Sequence, residues 1–417
     1  MKIKYFSLAV CISLISFISC KQIHHNSETQ TTTSDQKVSE TIISNNTEVP
    51  VIELNGNGYQ RGLQHGKLLK NEIAEVFGKW KASIQNETRQ NSDSVIAAFL
   101  SSTHFEPAIH KYTPDTYDEM KGIAESSGQP FKDVLAFQLV DEFWVYLDRI
   151  DHMEKHHCSD IGMAASSLHP AYVSQNMDVE SYMNGYQILL HIASTQSEPE
   201  QYILSCAGLI ALNGVNDKSI ALCMNTLMDL NASTDGLPVA CIIRGVLAKS
   251  NGDSAYQFLR SVPHASGQNY TLGTIDKVYD FEASAHKVVR YLPDPKNEGL
   301  VYHTNHALIN DDIKPWYQES HRKLLAGELN DKNSVIRFAS LKNRLSQGAQ
   351  TSSDTLIKQT LRSKDDPNNP VCRPIINGNA GFTFSSVIYT LGKNPTAQIT
   401  NGSPDQSEYA LHRFKEK

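Results

Sequence analysis

Beyond residue 20 the chain has no run of eighteen consecutive apolar residues, so no transmembrane helix is expected there. It also has no long run of lysine and arginine. The 38 basic residues are outnumbered by 45 acidic ones, for a formal net charge of -7. That balance excludes a surface that tracks nucleic-acid phosphates. No segment recurs at a fixed period, so a repeat architecture is not expected. His-Glu-x-x-His, which places two zinc ligands on one helix face, does not occur. Cysteine is scarce, with seven in 417 residues: Cys11, Cys20, Cys158, Cys206, Cys223, Cys241 and Cys372.

The first twenty residues read as an export signal. Lys2 and Lys4 are followed by a mostly apolar stretch from Tyr5 to Ile18, too short to span a bilayer as a stable helix. Phe17-Ile18-Ser19-Cys20 resembles a bacterial lipobox, in which the signal peptidase cuts before a lipid-bearing cysteine. Residues 1–19 are therefore expected to be a signal peptide, with Cys20 as the lipidation site. Residues 20–48 carry many Ser, Thr, Asn and Gln and almost no large apolar side chains. Such a segment buries too little surface to offset its chain entropy and reads as a tether. The expected location is extracytoplasmic, anchored by lipid to a bacterial membrane. Removing Cys11 and Cys20 leaves five cysteines, and an odd count in an oxidising compartment leaves at least one free thiol. Cys223, within Ile220-Ala221-Leu222-Cys223-Met224, reads as a buried strand residue. Cys158 does not, because its neighbours are His156, His157, Ser159 and Asp160.

Pattern changes near residue 158. From Gly58 to about Ile150 the spacing is helical, as in Tyr59 to Leu69 and Phe131 to Val140, the latter preceded by a break at Gly128-Gln129-Pro130. After 158, short strand-like runs dominate: Ala171–Gln175, Tyr186–Leu190, Ser219–Leu222, Val278–Glu282 and Phe384–Tyr389. Helices interrupt them at Val239 to Lys249 and Ser334 to Leu345. Strands in succession with segregated helices predict an α+β fold with helices layered over sheets.

Several stretches, taken in order, resemble the acyl-coenzyme A:6-aminopenicillanic acid acyltransferase family, the C45 peptidase-like branch of the N-terminal-nucleophile (Ntn) hydrolases. They begin with Gly58-Tyr59-x-x-Gly62-x-x-His65-Gly66, then Cys158, then Gln175-Asn176-Met177-Asp178. Gly214-Val215-Asn216, Asn225, and Gly236-Leu237-Pro238 leading to Arg244 follow. Phe281-Glu282-Ala283-Ser284, His303-Thr304-Asn305-His306 and Val371-Cys372-Arg373 complete the series, before the strand around Val387-Ile388-Tyr389. The resemblance runs from Gly58 to the C-terminus. It implies a four-layer αββα sandwich with a helical N-terminal segment. It also implies a precursor that cuts itself between His157 and Cys158, parting a helical α segment (49–157) from a β segment (158–417) in chains that stay associated. No cofactor or metal is implied. The expected substrate is a small-molecule or short-peptide N-acyl compound with a linear amide bond.

A neutral thiol attacks an amide poorly; a thiolate is the competent nucleophile. A cut before Cys158 frees its α-amine, which titrates at about 7.7–8.0 when unperturbed and can act as the base. By resemblance, Asp178 orients that amine and Asn305 donates to the oxyanion, a contact worth on the order of 3 kcal/mol of barrier. Arg373 favours thiolate, and Asn225 lines the substrate site. Gly62, Gly66, Arg244 and Glu282 are expected to serve folding.

The flank of Cys158 departs from the family, which commonly has glycine before the nucleophile and threonines after it. Glycine eases the strained backbone of a self-cut. His157 is expected either to slow the cut or, with His156, to assist it as a proton donor, and Asp160 to oppose thiolate formation. Two other readings remain open: an Ntn fold kept for binding without catalysis, and a zinc site at His152, His156 and Cys158, whose histidines stand at i, i+4.

Overall fold

A computed structural model of the chain describes residues 48–151, 157–328, 332–347, 353–376 and 381–415. The expected signal peptide, Cys20, the expected tether up to residue 47, His152 and His156 lie outside the described residues. Asn46–Lys417 form one unit by contact.

Seven helices among the described residues precede Cys158. They are α1 (Gly58–Leu68), α2 (Lys70–Thr88), α3 (Ser92–Ser101), α4 (Glu106–Tyr112), α5 (Pro114–Ser127), α6 (Phe131–Gln138) and α7 (Val140–Asp151). The glycines of the entry motif let α1 lie directly on α5. A Cβ on Gly62 would fall 2.0 Å from the Glu119 carbonyl oxygen, and one on Gly66 2.2 Å from Ser126 Oγ. His65, fully buried, accepts from the Gly208 N–H at 2.9 Å; burial lowers its pKa to about 4, so the ring is neutral.

One strand, β1 (Val51–Leu54), also precedes Cys158. It pairs in parallel with β4 (Gln187–Ile192) at the edge of an eight-stranded sheet. That sheet continues through β5 (Gln201–Cys206), β6 (Asn213–Asn216), β7 (Ala221–Thr226), β8 (Gln268–Gly273), β9 (Val278–Ala283) and β10 (Val288–Tyr291). The second sheet has six strands in the order β11 (Leu300–His303), β2 (Ser159–Met163), β3 (Ala171–Glu180), β12 (Gly381–Leu391), β13 (Thr396–Ile399) and β14 (Ala410–Arg413). Strands β2 and β3 face β7, β8 and β9 across the sheet interface. Helix α8 (Val239–Leu247) packs on β6 and β7, whereas α11 (Asn333–Gln347) and α12 (Ser353–Leu361) cover β11 and β3. Helices α9 (Gly252–Ser261) and α10 (Gln318–Leu325) complete the set among the described residues. The fold is a four-layer αββα sandwich, two facing sheets with helices on their outer faces.

Two ion clusters tie the N-terminal helices to the rest. Glu119 of α5 accepts from Arg61 of α1 at 3.0 Å and from both terminal nitrogens of Arg244 on α8 at 2.7 and 2.8 Å. Burial pushes Glu119 up, but the two guanidiniums outweigh it and hold the carboxyl at about 2. Near the end of α7, Asp148 accepts from Tyr317 Oη at 2.6 Å and Lys314 Nζ at 3.4 Å, all three side chains being buried.

One expectation fails. The polar neighbours of Cys158 suggested an open position, yet Cys158 is 3% exposed and Ser159 and Asp160 are fully buried. The reason is topological: β2 lies between β11 and β3 and under the eight-stranded sheet, so its polar side chains are buried along with its apolar ones.

Candidate active site

Cys158 sits one residue before β2, beside the middle of β3. The register pairs Ser159 with Asn176 and Asp160 with Gln175, which brings the cysteine alongside Met177 and Asp178. Its sulfur lies 3.8 Å from Met177 Sδ, accepts from the Asp178 N–H at 3.4 Å and faces the Asp178 carbonyl oxygen at 3.5 Å. Burial drives the thiol pKa far up and the Asp178 carboxylate adds to this; the Asp178 N–H and Arg337 pull it back, and Asp141 raises it again. In the uncut chain, therefore, the group is a thiol at neutral pH.

The four-residue motif on β3 divides its work. Gln175 reaches the Met224 carbonyl and Asn225, while Asn176 donates to the carbonyls of Leu361 (2.7 Å) and Val371 (2.9 Å). That second pair fixes the end of α12 and the approach to Arg373. The Arg373 N–H donates to Thr383 Oγ1 at 2.9 Å, and Thr383 pairs with Asp178 across β12. Arg373 Nη1 then stands 3.7 Å from Asp178 Oδ2, an ion pair rather than a hydrogen bond. Burial raises Asp178 to about 6, against the opposing pull of Arg373 and Thr383.

Asn305 comes from the loop after β11. Its Nδ2 donates to the Thr226 carbonyl at 3.1 Å and its Oδ1 accepts from Arg337 Nη2 at 3.0 Å. The histidines on either side have different duties. His303 bonds Glu282 at 2.9 Å and the Thr304 carbonyl at 2.8 Å; burial lowers its pKa, but Asp280, Glu282 and Asp160 lift it to about 9. Glu282 also accepts from the N–H groups of Leu308, Ile309 and Asn310, so it organises the whole loop. His306 is held neutral by burial, at about 3, and meets Ser334 Oγ at 2.7 Å.

Not every expected residue gathers at the thiol. Asn225 is enclosed between the sheets, bonded to Gln175 and, at 3.0 Å, to Asn269. Asp160 is turned to His303 and Asn225, and its burial raises it to about 7; the carboxylates that act on the thiol are Asp178 and Asp141. Arg373 faces Asp178, and the cation that reaches Cys158 is Arg337. Among the described residues no group of three or more His, Cys, Asp or Glu side chains is arranged to hold a metal.

Sequence reasoning passed over two of the groups present. Arg337, fully buried on α11, donates to the Cys158 carbonyl oxygen at 2.5 Å and to Ser159 Oγ at 3.0 Å, besides holding Asn305. Its signal was a lone charge within Val335-Ile336-Arg337-Phe338-Ala339. Asp141 of α7 accepts from Thr226 Oγ1 at 2.7 Å, on the residue whose carbonyl holds Asn305. Burial raises Asp141 to about 6 despite that bond. Asp141-Glu142 is an acidic pair within Leu139-Val140-Asp141-Glu142-Phe143-Trp144, and adjacent acids in an apolar helix mark buried polar work.

The sequence profile of the family described as "Acyl-coenzyme A:6-aminopenicillanic acid acyl-transferase" matches residues 170–406. The chain belongs to that family. The matched range takes in Asp178, Asn305, Arg337 and Arg373 and begins after Cys158. A curated relative, the 40 kDa form of the acyl-coenzyme A:6-aminopenicillanic-acid-acyltransferase of Emericella nidulans, is 22% identical over 360 residues, covering 84% of this chain and 93% of that one. Protein dcd1A of Dictyostelium discoideum is 33% identical over 109 residues, which is 22% of this chain and 25% of that protein. Among solved structures, the N-acylethanolamine-hydrolyzing acid amidase ortholog of Caenorhabditis elegans aligns with a TM-score of 0.39 and 14% identity, covering 56% of this chain and 92% of that one. A mutant conjugated bile acid hydrolase from Clostridium perfringens aligns with a TM-score of 0.34 and 12% identity, covering 62% and 97%.

Proposed function

We propose that this member of the acyltransferase family is a self-processing cysteine amidohydrolase acting on linear N-acyl bonds, and that it works outside the cytoplasm on a lipid anchor at Cys20. The observation that carries the reading is the setting of Cys158: the Asp178 N–H meets its sulfur, Arg337 of α11 holds its carbonyl, and the same Arg337 holds Asn305 from the loop after β11. Maturation starts when the sulfur adds to the His157 carbonyl carbon. The C–S bond forms as the C–N bond breaks, and the thiol proton passes to the leaving nitrogen of Cys158. Water then opens the thioester, giving the His157 carboxylate and restoring the thiol. The new α-amine, oriented by Asp178 beside Arg373, becomes the base for each later substrate.

In turnover the thiolate attacks the substrate carbonyl. Asn305 Nδ2 has two N–H groups, and one is occupied by the Thr226 carbonyl; the other is the donor for the oxyanion. The amine proton goes to the leaving nitrogen, and water releases the acid. Hydrolysis is favoured over transfer because acyl-coenzyme A is a cytosolic donor and the lipobox directs the chain to another compartment.

Intact-mass measurement on detergent-extracted protein tests the reading. Two chains are expected, one starting at a diacylglyceryl-modified Cys20 and one starting at Cys158. Cys158→Ala should give a single uncut chain with the same lipid. A Cys158→Ala chain still cut at that bond would remove Cys158 as the maturation nucleophile.

A further inference from the structure

One turn of α11 holds the residues on both sides of the bond at which the proposed cut falls. On the N-terminal side, His157 Nδ1 lies 2.8 Å from Asn333 Oδ1. The same oxygen accepts from Arg337 Nε at 2.8 Å, and Asn333 Nδ2 donates to Asn369 Oδ1 at 3.0 Å. Those two bonds settle which end of the carboxamide is oxygen. An amide oxygen only accepts, so His157 is the donor and carries its proton on Nδ1 in this contact. On the C-terminal side, Arg337 Nη1 grips the Cys158 carbonyl and Ser159 Oγ. Asn333 and Arg337 stand at i, i+4 and so share a helix face. The ring before the scissile peptide and the carbonyl after it are thus tied to neighbouring side chains of one rigid element.

The attack of Sγ on the His157 carbonyl demands a peptide held at a fixed angle to the sulfur. A glycine before the nucleophile meets that demand by backbone freedom. His157 does not have that freedom, but it has a side chain that can be docked. We propose that Asn333 and Arg337 form a processing clamp, and that docking of the His157 ring on Asn333 is what lets this chain cut itself without a glycine before the nucleophile. The inference rests on the reading that Cys158 performs the cut.

The test follows conversion of freshly synthesised full-length precursor on denaturing gels, with masses confirming the bond. Asn333→Ala removes the acceptor for both His157 and Arg337 Nε, and its conversion half-time should lengthen by at least about tenfold. Asn333→Asp keeps the oxygen in place and should convert within about threefold of wild type. His157→Ala should be slowed as well, and Asn333→Ala in that background should slow it little further, because the two share one contact. Turnover per cut molecule of Asn333→Ala should stay within about threefold of wild type, since Arg337 keeps Cys158, Ser159 and Asn305 through its terminal nitrogens and the His157 contact serves a bond that is already gone. Wild-type precursor that never cuts overturns the self-cleavage reading itself. Wild-type precursor that cuts while Asn333→Ala and His157→Ala cut equally fast overturns the clamp alone. A loss of turnover in Asn333→Ala as large as its loss of conversion makes Asn333 a general structural residue and also overturns the clamp.

Discussion

Asn305 is pinned at both ends of its carboxamide, by the Thr226 carbonyl and by Arg337. A donor fixed in this way needs no reorganisation when charge develops on the substrate oxygen. Asn305→Ala should therefore lower kcat by about 10²–10³ in the cut fraction with little change in KM, and Asp141→Ala, which acts through Thr226, by about tenfold. Steady-state kinetics on the best N-acyl substrate decide this. Wild-type kcat in both variants would return His-Thr-Asn-His to a purely structural role. Asn305 was legible beforehand only because it lies inside a four-residue motif. Arg337 and Asp141 were not, because one is a basic residue in a short apolar stretch and the other half of an acidic pair, and nothing in the sequence says that 196 residues apart they serve one side chain (337 minus 141).

Elements were more legible than sites. The helical spacing predicted from Tyr59 to Leu69 and from Phe131 to Val140 matches α1 and α6, with a break at Leu139 where α7 starts. The apolar runs at Ala171–Gln175, Val278–Glu282 and Phe384–Tyr389 match β3, β9 and β12. Strand β2 escaped notice, since Ser159-Asp160-Ile161-Gly162-Met163 shows neither alternation nor a β-branched run. Its strand character comes from neighbours on both edges, and Gly162 is required there because a Cβ would fall 2.7 Å from Val301. Tertiary context therefore overrode local preference at the strand that follows Cys158. Edge strand β1 was missed for another reason: its pairing partner, β4, lies over a hundred residues away in sequence.

Across the whole molecule, buried ionisable groups set the response to acid and base. Asp141 and Asp178 are raised to about 6, and Glu142 and Asp160 to about 7, by burial above all. Between pH 4.5 and 7 the folded chain holds protons there that the unfolded chain has released, so stability falls as pH rises. His303, raised to about 9, acts in the same direction: its contribution is complete below 6.5 and is lost as pH climbs through 9. Glu119 acts oppositely. Held at about 2 against an ordinary 4.5, it stabilises fully above 4.5 and less as the medium becomes more acidic. The melting temperature of the uncut Cys158→Ala chain should accordingly peak near pH 5. Scanning fluorimetry from pH 3.5 to 9 reads this directly, and a maximum at or above pH 7.5 would contradict it.

The seating of β1 against β4, and of Asp148 against Lys314 and Tyr317, has a consequence in mass action. With the bond before Cys158 cut as proposed, those contacts would join two polypeptides instead of two parts of one. Unfolding then releases two particles, and dilution favours it. The mature protein should melt at a lower temperature when diluted a hundredfold, while the Cys158→Ala chain should melt at the same temperature throughout. Equal behaviour of the two in a dilution series would mean that the fragments part only after the melt. On the proposed self-cut the molecule is a two-chain complex, and one that opens in dilute solution loses its partner.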